Sequence, residues 1–301
     1  MGWQGAKLGG ALTAVYTPFT EDGGIDRDAF AAQCARLVAA GSGLVPCGTT
    51  GETPALGFDE WESLVAIAVD VASGRVPVIP GTGSNDTADT IRTTRRARAL
   101  GADAALVVVP PYNKPPQKSL LAHFRAVADD GGLPVLLYNV PGRCAVNLAP
   151  ETTLALARDP RFIGIKEAAG SLAQFEALLM GAPAHFAVLS GDDAWTLPLM
   201  SLGGDGVVSV AANVAPRHVV GLVEAGRAGD MATARRLHFE LKPLVDALFA
   251  VSNPIPVKFV ASLLGHARAD VRLPLTADAL DDALAERLAL LARRLGVLEV
   301  A

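Results

Sequence analysis

Eight short apolar runs recur between residues 11 and 210, and this repetition restricts the fold more than any other feature of the chain. The runs begin roughly 20 to 35 residues apart, which is the repeat length of a strand followed by a helix. They are continuously apolar, as expected of parallel strands that are buried on both faces. The runs cover residues 11–16, 43–47, 76–80, 104–109, 134–138, 162–166, 186–190 and 206–210.

Segments with apolar residues at helical spacing fill the intervals between these runs. They cover residues 26–40, 59–72, 87–100, 118–128, 150–158, 172–180, 194–202 and 216–225. Eight strands alternating with eight helices predict an α/β fold, a closed (β/α)8 TIM barrel. A doubly wound sheet is the alternative, because it is built from the same alternation.

The alternation ends near residue 230, where helical segments follow one another without strands. Three such segments cover residues 232–249, 255–264 and 276–294. We therefore expect a barrel catalytic domain at residues 1–229 and a C-terminal three-helix domain at residues 230–301.

Composition excludes several other classes of protein. A net charge of −5 gives no electrostatic basis for binding nucleic acid. The three cysteines and five histidines lack the spacing of a disulfide framework or a metal site, so we predict neither. The apolar stretch 8–15 reads as a first buried strand rather than a signal peptide, and no run is long enough to span a membrane. We expect a cytoplasmic protein with no membrane partner.

Polar residues gather at the carboxyl ends of the predicted strands, where barrel enzymes place their active sites. Thr49 and Thr50 follow the second run, Tyr112 follows the fourth, Tyr138 and Arg143 close the fifth, and Lys166 ends the sixth. Because parallel strands end on the same rim, these side chains should converge. The set predicts an active site at that rim.

This set of residue types has a chemical logic. A lysine that ends an apolar strand is partly desolvated, which favours the neutral amine that can attack a ketone. Hydroxyl groups can relay protons, and an arginine can bind a carboxylate with two hydrogen bonds. Each residue also has a purely structural reading: Lys166 could pair with Glu167, Tyr138 could be a core aromatic, and Arg143 could form a surface ion pair. Their predicted convergence favours the active site.

Four motifs of this sequence resemble those of the dihydrodipicolinate synthase and N-acetylneuraminate lyase family. They are Gly-Thr-Thr-Gly-Glu at 48–52, Tyr-Asn-Val-Pro-Gly-Arg at 138–143, Gly-Ile-Lys-Glu-Ala at 164–168 and Asn-Pro-Ile-Pro-Val-Lys at 253–258. The resemblance covers nearly the whole chain. It implies a class I aldolase-like lyase that forms a Schiff base with pyruvate and needs no metal or organic cofactor.

The resemblance implies a role for each catalytic position. Lys166 matches the Schiff-base lysine. Thr50, Tyr138 and Tyr112 match a proton relay, in which the tyrosine at position 112 comes from a neighbouring subunit. The family expectation is therefore a homo-oligomer, a tetramer built from dimers.

The resemblance also implies how substrates are bound. Backbone N–H groups of Thr49 and Thr50 would hold the pyruvate carboxylate. Arg143 matches the residue that receives the carboxylate of aspartate semialdehyde. Val208 matches an apolar position beside the lysine.

Within the family, the motifs are most similar to the branch that condenses pyruvate with aspartate semialdehyde. The product of that reaction is 4-hydroxy-tetrahydrodipicolinate, in the diaminopimelate route to lysine. A sibling aldolase acting on a sugar acid or another 2-keto acid is the first alternative, and Arg143 favours a small anionic aldehyde over it. A non-catalytic paralogue that binds a keto acid is the second.

Some positions depart from the family pattern. Phe58 and Trp61 stand where members inhibited by lysine have histidines, so we predict weak or absent inhibition by lysine. Pro111 stands where many members have a second tyrosine, which alters the expected contact between subunits.

Overall fold

The computed structural model describes residues 7–298, in which seven strands form one parallel sheet. The strands are ordered β2-β1-β7-β6-β5-β4-β3. All the paired neighbours are parallel, as continuously apolar runs predict. Their bounds are β1 Gly10–Ala14, β2 Gly43–Val45, β3 Ala105–Val108, β4 Val135–Asn139, β5 Phe162–Glu167, β6 Ala187–Ser190 and β7 Gly206–Ser209.

The predicted strand at residues 76–80 is not a continuous strand. Pro77 and Pro80 have no N–H group to donate to a ladder. Their carbonyl groups still accept, from Leu44 at 2.9 Å and from Leu106 at 2.9 Å. This segment therefore joins β2 to β3 through isolated parallel bridges. The two ends of the sheet are thereby linked, which confirms the predicted barrel and excludes the doubly wound sheet.

A glycine makes this junction possible. A Cβ atom at Gly81 would lie 2.2 Å from the carbonyl oxygen of Cys47. Only a residue without a side chain can pass so close to the neighbouring backbone. The amide of Gly81 donates to Pro46 at 2.9 Å, which continues the closure beyond the prolines.

Helices surround the barrel at the predicted places. The eight that follow the predicted strands are α1 Arg27–Ala39, α2 Phe58–Ala72, α3 Thr87–Ala99, α4 Gln117–Asp130, α6 Pro150–Ala157, α7 Leu172–Gly181, α8 Thr196–Ser201 and α9 Pro216–Arg227. A further turn of helix, α5 Pro141–Cys144, was not predicted; it follows β4 directly. Among the described residues, no helix is both long and apolar enough to cross a membrane.

Three helices follow residue 230 without an intervening strand, as predicted: α10 Met231–Leu248, α11 Ile255–Leu263 and α12 Asp282–Arg294. Their buried apolar residues join those of α9 and the outward-facing Ala11 and Val207 in one cluster. This shared cluster fixes the C-terminal helices against the barrel. The division into two domains at residues 229 and 230 stays a prediction.

Candidate active site

Lys166 lies on β5 beside Tyr138 of β4, and the two residues are partners in the strand register. Both side chains are buried, with 5% and 6% of their surface exposed. The Nζ atom of Lys166 lies 4.1 Å from the centroid of the Tyr138 ring. Among residues 7–298, Lys166 forms no ion pair with a carboxylate. Its amine is therefore held in place by packing rather than by an acidic partner.

Glu167, the residue that could have paired with Lys166, is bonded elsewhere. Successive residues of a strand point to opposite faces, and the Glu167 carboxylate accepts from Asn139 at 3.0 Å and from Gln174 at 2.8 Å. The backbone N–H of Ala169 donates to it at 2.7 Å. Burial raises the pKa of Glu167, although these hydrogen bonds act in the opposite direction. The ion-pair reading of Lys166 is thus wrong.

The turn after β2 presents backbone N–H groups. The amides of Gly51 and Glu52 bond back to Gly48 and Thr49, at 3.0 and 3.1 Å. The amides of Thr49 and Thr50 donate to no acceptor among the described residues. Two adjacent free N–H groups form a site suited to a carboxylate.

A cavity of about 270 Å³ opens at this rim. Thr49, Tyr138 and Arg143 line it together with apolar residues such as Val140. A second cavity of about 190 Å³ shares Thr49 and Arg143 with the first. Arg143 is exposed and forms no ion pair among the described residues, so its guanidinium group is available to a carboxylate in either cavity.

Two other predicted site residues differ in their exposure. Val208 on β7 is fully buried and belongs to the same apolar cluster as Tyr138. Tyr112 is 88% exposed and has a positive φ of 72°. Tyr112 is absent from the lining of the 270 Å³ cavity, so the structure does not bring it together with Tyr138 and Arg143 there.

Three residues near the site had been given no role from the sequence. Asn253 donates from Nδ2 to the Thr50 hydroxyl at 2.9 Å, and Lys258 pairs with Glu52. Both belong to the motif at 253–258, but the order of the strands predicts no role for residues beyond the barrel. Gly191 follows β6, and a Cβ atom there would lie 3.0 Å from Lys166 Cγ. A glycine directly after a strand was the only available signal.

Glu52 and Lys258 form a fully buried ion pair at 2.8 Å, with side-chain exposures of 2% and 0%. The second carboxylate oxygen of Glu52 accepts from the Arg272 amide at 2.8 Å, and Lys258 Nζ also lies 4.0 Å from the centroid of the Phe19 ring. Burial lowers the pKa of Lys258, and the charge of Glu52 opposes this effect. The pair ties the turn after β2 to α11.

Metal-ligating side chains do not gather anywhere in the described part of the chain, where no group of three or more histidine, cysteine or acidic residues could hold a metal ion. The described residues at the rim supply an amine, hydroxyl groups, backbone amides and a guanidinium group.

A (β/α)8 barrel in which a buried lysine packs on a tyrosine that lines an open cavity, at the carboxyl rim of the strands, defines a lyase of the aldolase-like barrel class. The model of the dihydrodipicolinate synthetase family matches residues 7–291, so the chain belongs to that family. The resemblance predicted from the motifs is thus confirmed.

Individual relatives extend this similarity over almost the whole chain. A 4-hydroxy-tetrahydrodipicolinate synthase from Methanoculleus marisnigri is 48% identical over 283 residues, which are 93% of this chain and 96% of the relative. The crystal structure of dihydrodipicolinate synthase from Aquifex aeolicus has a TM-score of 0.93 at 39% identity, covering 96% of this chain and 99% of its own. A structure described as the first monomeric dihydrodipicolinate synthase variant has a TM-score of 0.94 at 37% identity, covering 97% and 98%.

The buried ion pair predicts a large effect on stability. Lys258→Met leaves the Glu52 carboxylate buried without its partner, so the free energy of unfolding should fall by about 3–5 kcal/mol. The double variant with Glu52→Gln removes the uncompensated charge and keeps an acceptor for the Arg272 amide, so it should lose less. Urea denaturation at fixed protein concentration measures both values.

The exposed pair of Lys242 and Asp246 provides the control, with side-chain exposures of 38% and 48%. Lys242→Met should cost less than about 1 kcal/mol. Equal losses for Lys242→Met and Lys258→Met would contradict the role given to the buried pair.

Proposed function

We propose that this chain condenses pyruvate with aspartate semialdehyde to 4-hydroxy-tetrahydrodipicolinate, in the diaminopimelate route to lysine. The observation that carries the proposal is the buried Lys166 amine, packed on Tyr138 and unpaired with any carboxylate of the described residues. The relatives named for this activity, at up to 50% identity, support it. The alternative of a keto-acid-binding paralogue is disfavoured, because Lys166, Tyr138, Thr50 and Tyr112 are all present.

Covalent catalysis begins at Lys166. Its neutral amine adds to the C2 carbonyl of pyruvate, and the carbonyl oxygen takes a proton to give the carbinolamine. Protonation of that hydroxyl releases water and leaves the protonated imine, which draws electrons from the methyl group. Loss of a methyl proton gives the enamine. Tyr138 and Thr50 carry these protons through their hydroxyl groups, and the amine lies over the ring of Tyr138.

The enamine carbon then attacks the aldehyde carbon of aspartate semialdehyde, and the aldehyde oxygen takes up a proton. The amine of the second substrate next adds to the imine carbon and displaces Lys166, which closes the ring. The free amides of Thr49 and Thr50 hold the pyruvate carboxylate, and Arg143 binds the carboxylate of the semialdehyde. Val208 packs the apolar wall near the lysine. No metal or organic cofactor takes part.

We further propose that the chain forms homo-oligomers in the cytoplasm, a tetramer built from dimers. We expect Tyr112 to contribute to the active site of a neighbouring subunit. Its 88% exposure supports this, since an exposed loop tyrosine can enter a neighbouring subunit. Pro111, next to it, lines the 270 Å³ cavity. One solved relative is a monomeric variant, so the barrel itself does not require assembly.

The first test is turnover of pyruvate with a panel of aldehydes, coupled to NADPH oxidation by a dihydrodipicolinate reductase for aspartate semialdehyde. We expect efficient turnover of aspartate semialdehyde by the wild type. The kcat should fall on the order of 10⁴-fold or more in Lys166→Ala, because the nucleophile is lost. Borohydride with pyruvate should trap an adduct in the wild type but not in the variant. Lys242→Ala, at an exposed position, should behave as wild type.

Each contrary result has a distinct meaning. If only other aldehydes react, the chain is a sibling aldolase and the role given to Arg143 is wrong. If the trapped adduct forms equally in Lys166→Ala, the Schiff base is wrongly placed.

Gly191→Ala should impair the reaction through Lys166. The added Cβ atom would lie 3.0 Å from Lys166 Cγ and 2.8 Å from Ala168 Cβ, so the lysine stem must shift. We expect kcat to fall roughly tenfold or more, because small displacements of a reacting group are costly. Gly221→Ala on α9 is the matched control, since its Cβ atom would meet its nearest neighbour at an ordinary 3.5 Å. An unchanged kcat in Gly191→Ala would contradict the close packing of the lysine.

Inhibition by lysine should be weak or absent. A cavity of about 450 Å³ is lined by Phe58 and Trp61, whose rings stack at 5.8 Å, and the Arg92 guanidinium lies over Phe58. Asp89 is the only acidic residue among its described lining residues, and it is paired with Arg92. The two ammonium groups of lysine therefore meet no free carboxylate there. Initial rates with physiological lysine should be unchanged, with the coupling reductase assayed alone as control; strong inhibition would refute this.

A further inference from the structure

The Thr50 hydroxyl has a single hydrogen-bond partner among residues 7–298, and it comes from the C-terminal helical segment. Asn253 donates from Nδ2 to Thr50 Oγ1 at 2.9 Å. Asn253 itself is 5% exposed, and Thr50 is 2% exposed. The proposed proton-carrying hydroxyl is thus oriented from outside the barrel.

A hydroxyl group has one proton to donate and two lone pairs with which to accept. Because the amide of Asn253 donates, it occupies a lone pair of Thr50 Oγ1. The hydroxyl proton must then point away from Asn253. It remains free to be donated to another acceptor.

The structure already joins the two segments without this hydrogen bond. Glu52, two residues after Thr50, is paired with Lys258, five residues after Asn253. Arg272 adds a bidentate contact to Glu60 and a backbone bond to Glu52. These contacts fix the position of Asn253 beside Thr50. The amide of Asn253 is therefore not needed to hold the two segments together.

The other half of the amide argues against a purely stabilising role. Asn253 Oδ1 is buried and has no hydrogen-bond partner among the described residues. A buried polar atom without a partner is unfavourable for folding, and an apolar side chain would avoid this penalty. The group is therefore better explained by what its Nδ2 atom does to Thr50.

We propose that Asn253 is a positioning residue for the reaction, which turns the Thr50 hydroxyl so that its proton is available while Lys166 forms the imine. The proposal rests on the catalytic roles of Thr50 and Lys166 given above. It adds the C-terminal segment to the active site as the part that sets the direction of proton transfer.

The test measures the rate of imine formation with pyruvate alone, by borohydride trapping at timed intervals, in Asn253→Ala, Thr50→Val and the double variant. We expect Asn253→Ala to slow imine formation by about 10- to 100-fold, as misdirected catalytic groups do. If Asn253 acts through Thr50, the double variant should be within about twofold of Thr50→Val, because the two effects are coupled. Independent, multiplying effects would overturn the proposal.

Asn253→Asp tests the direction of the hydrogen bond at nearly constant side-chain size. An ionised carboxylate can only accept, so it must draw the Thr50 proton toward itself. Imine formation should be as slow as in Asn253→Ala, and its rate relative to wild type at the same pH should partly recover as the pH falls and the carboxyl group becomes a donor. A rate equal to wild type at neutral pH would overturn the proposed direction.

Gln33→Ala controls for loss of a buried amide. Gln33 is fully buried on α1 and bonds to Asn213 and Arg36, not to any residue of the proposed site. The Gln33→Ala variant should have a lower melting temperature and an unchanged rate of imine formation. If Asn253→Ala behaves in the same way, its role is structural only and the proposal fails.

This readout also separates the two proposals. Imine formation needs pyruvate but no aldehyde, so an error in the second substrate leaves the Asn253 result intact. An absence of trapped imine in the wild type would instead refute the proposed function itself.

Discussion

Closure of the sheet is the constraint on which the rest of the molecule depends. Seven strands would leave two open edges, and the irregular segment between β2 and β3 removes both of them. The carbonyl groups of Pro77 and Pro80 accept from the flanking strands, and Gly81 allows the backbone to pass close to Cys47. Once the ring is closed, all strand ends converge on one rim. Tyr138 and Thr49 then line a common cavity, and Lys166 packs on the ring of Tyr138.

Strand alternation decides which polar residues can react. On β5, Lys166 contacts Tyr138, whereas its neighbour Glu167 is bound by Asn139 and Gln174 on the other face. A carboxylate beside the amine would stabilise its charged form and hold it away from a ketone. Binding the carboxylate elsewhere keeps the amine free of an acidic partner. The alternation of side chains along β5 thus places the reactive Lys166 on one face and the hydrogen bonds of Glu167 on the other.

Local patterns could predict most of this fold. Apolar runs predict the strands, apolar residues at helical spacing predict the helices, and polar residues directly after the runs predict the site. Lys166, Tyr138 and Thr49 were found by counting strands. The interruption of the third predicted strand was not found in this way. An apolar run with two prolines resembles a buried strand until the backbone N–H groups that the prolines lack are considered. The contacts of Asn253 and Lys258 lay beyond such counting, because they join positions about 200 residues apart. The proposed contact of Tyr112 with a second subunit also cannot be read from a single chain, in which its side chain is exposed.

Those long-range contacts explain why a barrel enzyme carries helices beyond its last strand. The turn after β2 contains two free amides and the buried hydroxyl of Thr50, and Glu52 within it has a left-handed backbone with φ of 56°. Hydrogen bonds from the amides of Gly51 and Glu52 to Gly48 and Thr49 hold the turn locally. The C-terminal segment adds long-range contacts through the buried pair of Glu52 and Lys258 and through Arg272. A single buried ion pair contributes little net stability compared with apolar packing, but it specifies one geometry, because any other arrangement leaves a charge unpaired. At this turn, that specificity fixes the groups that would bind the carboxylate of pyruvate.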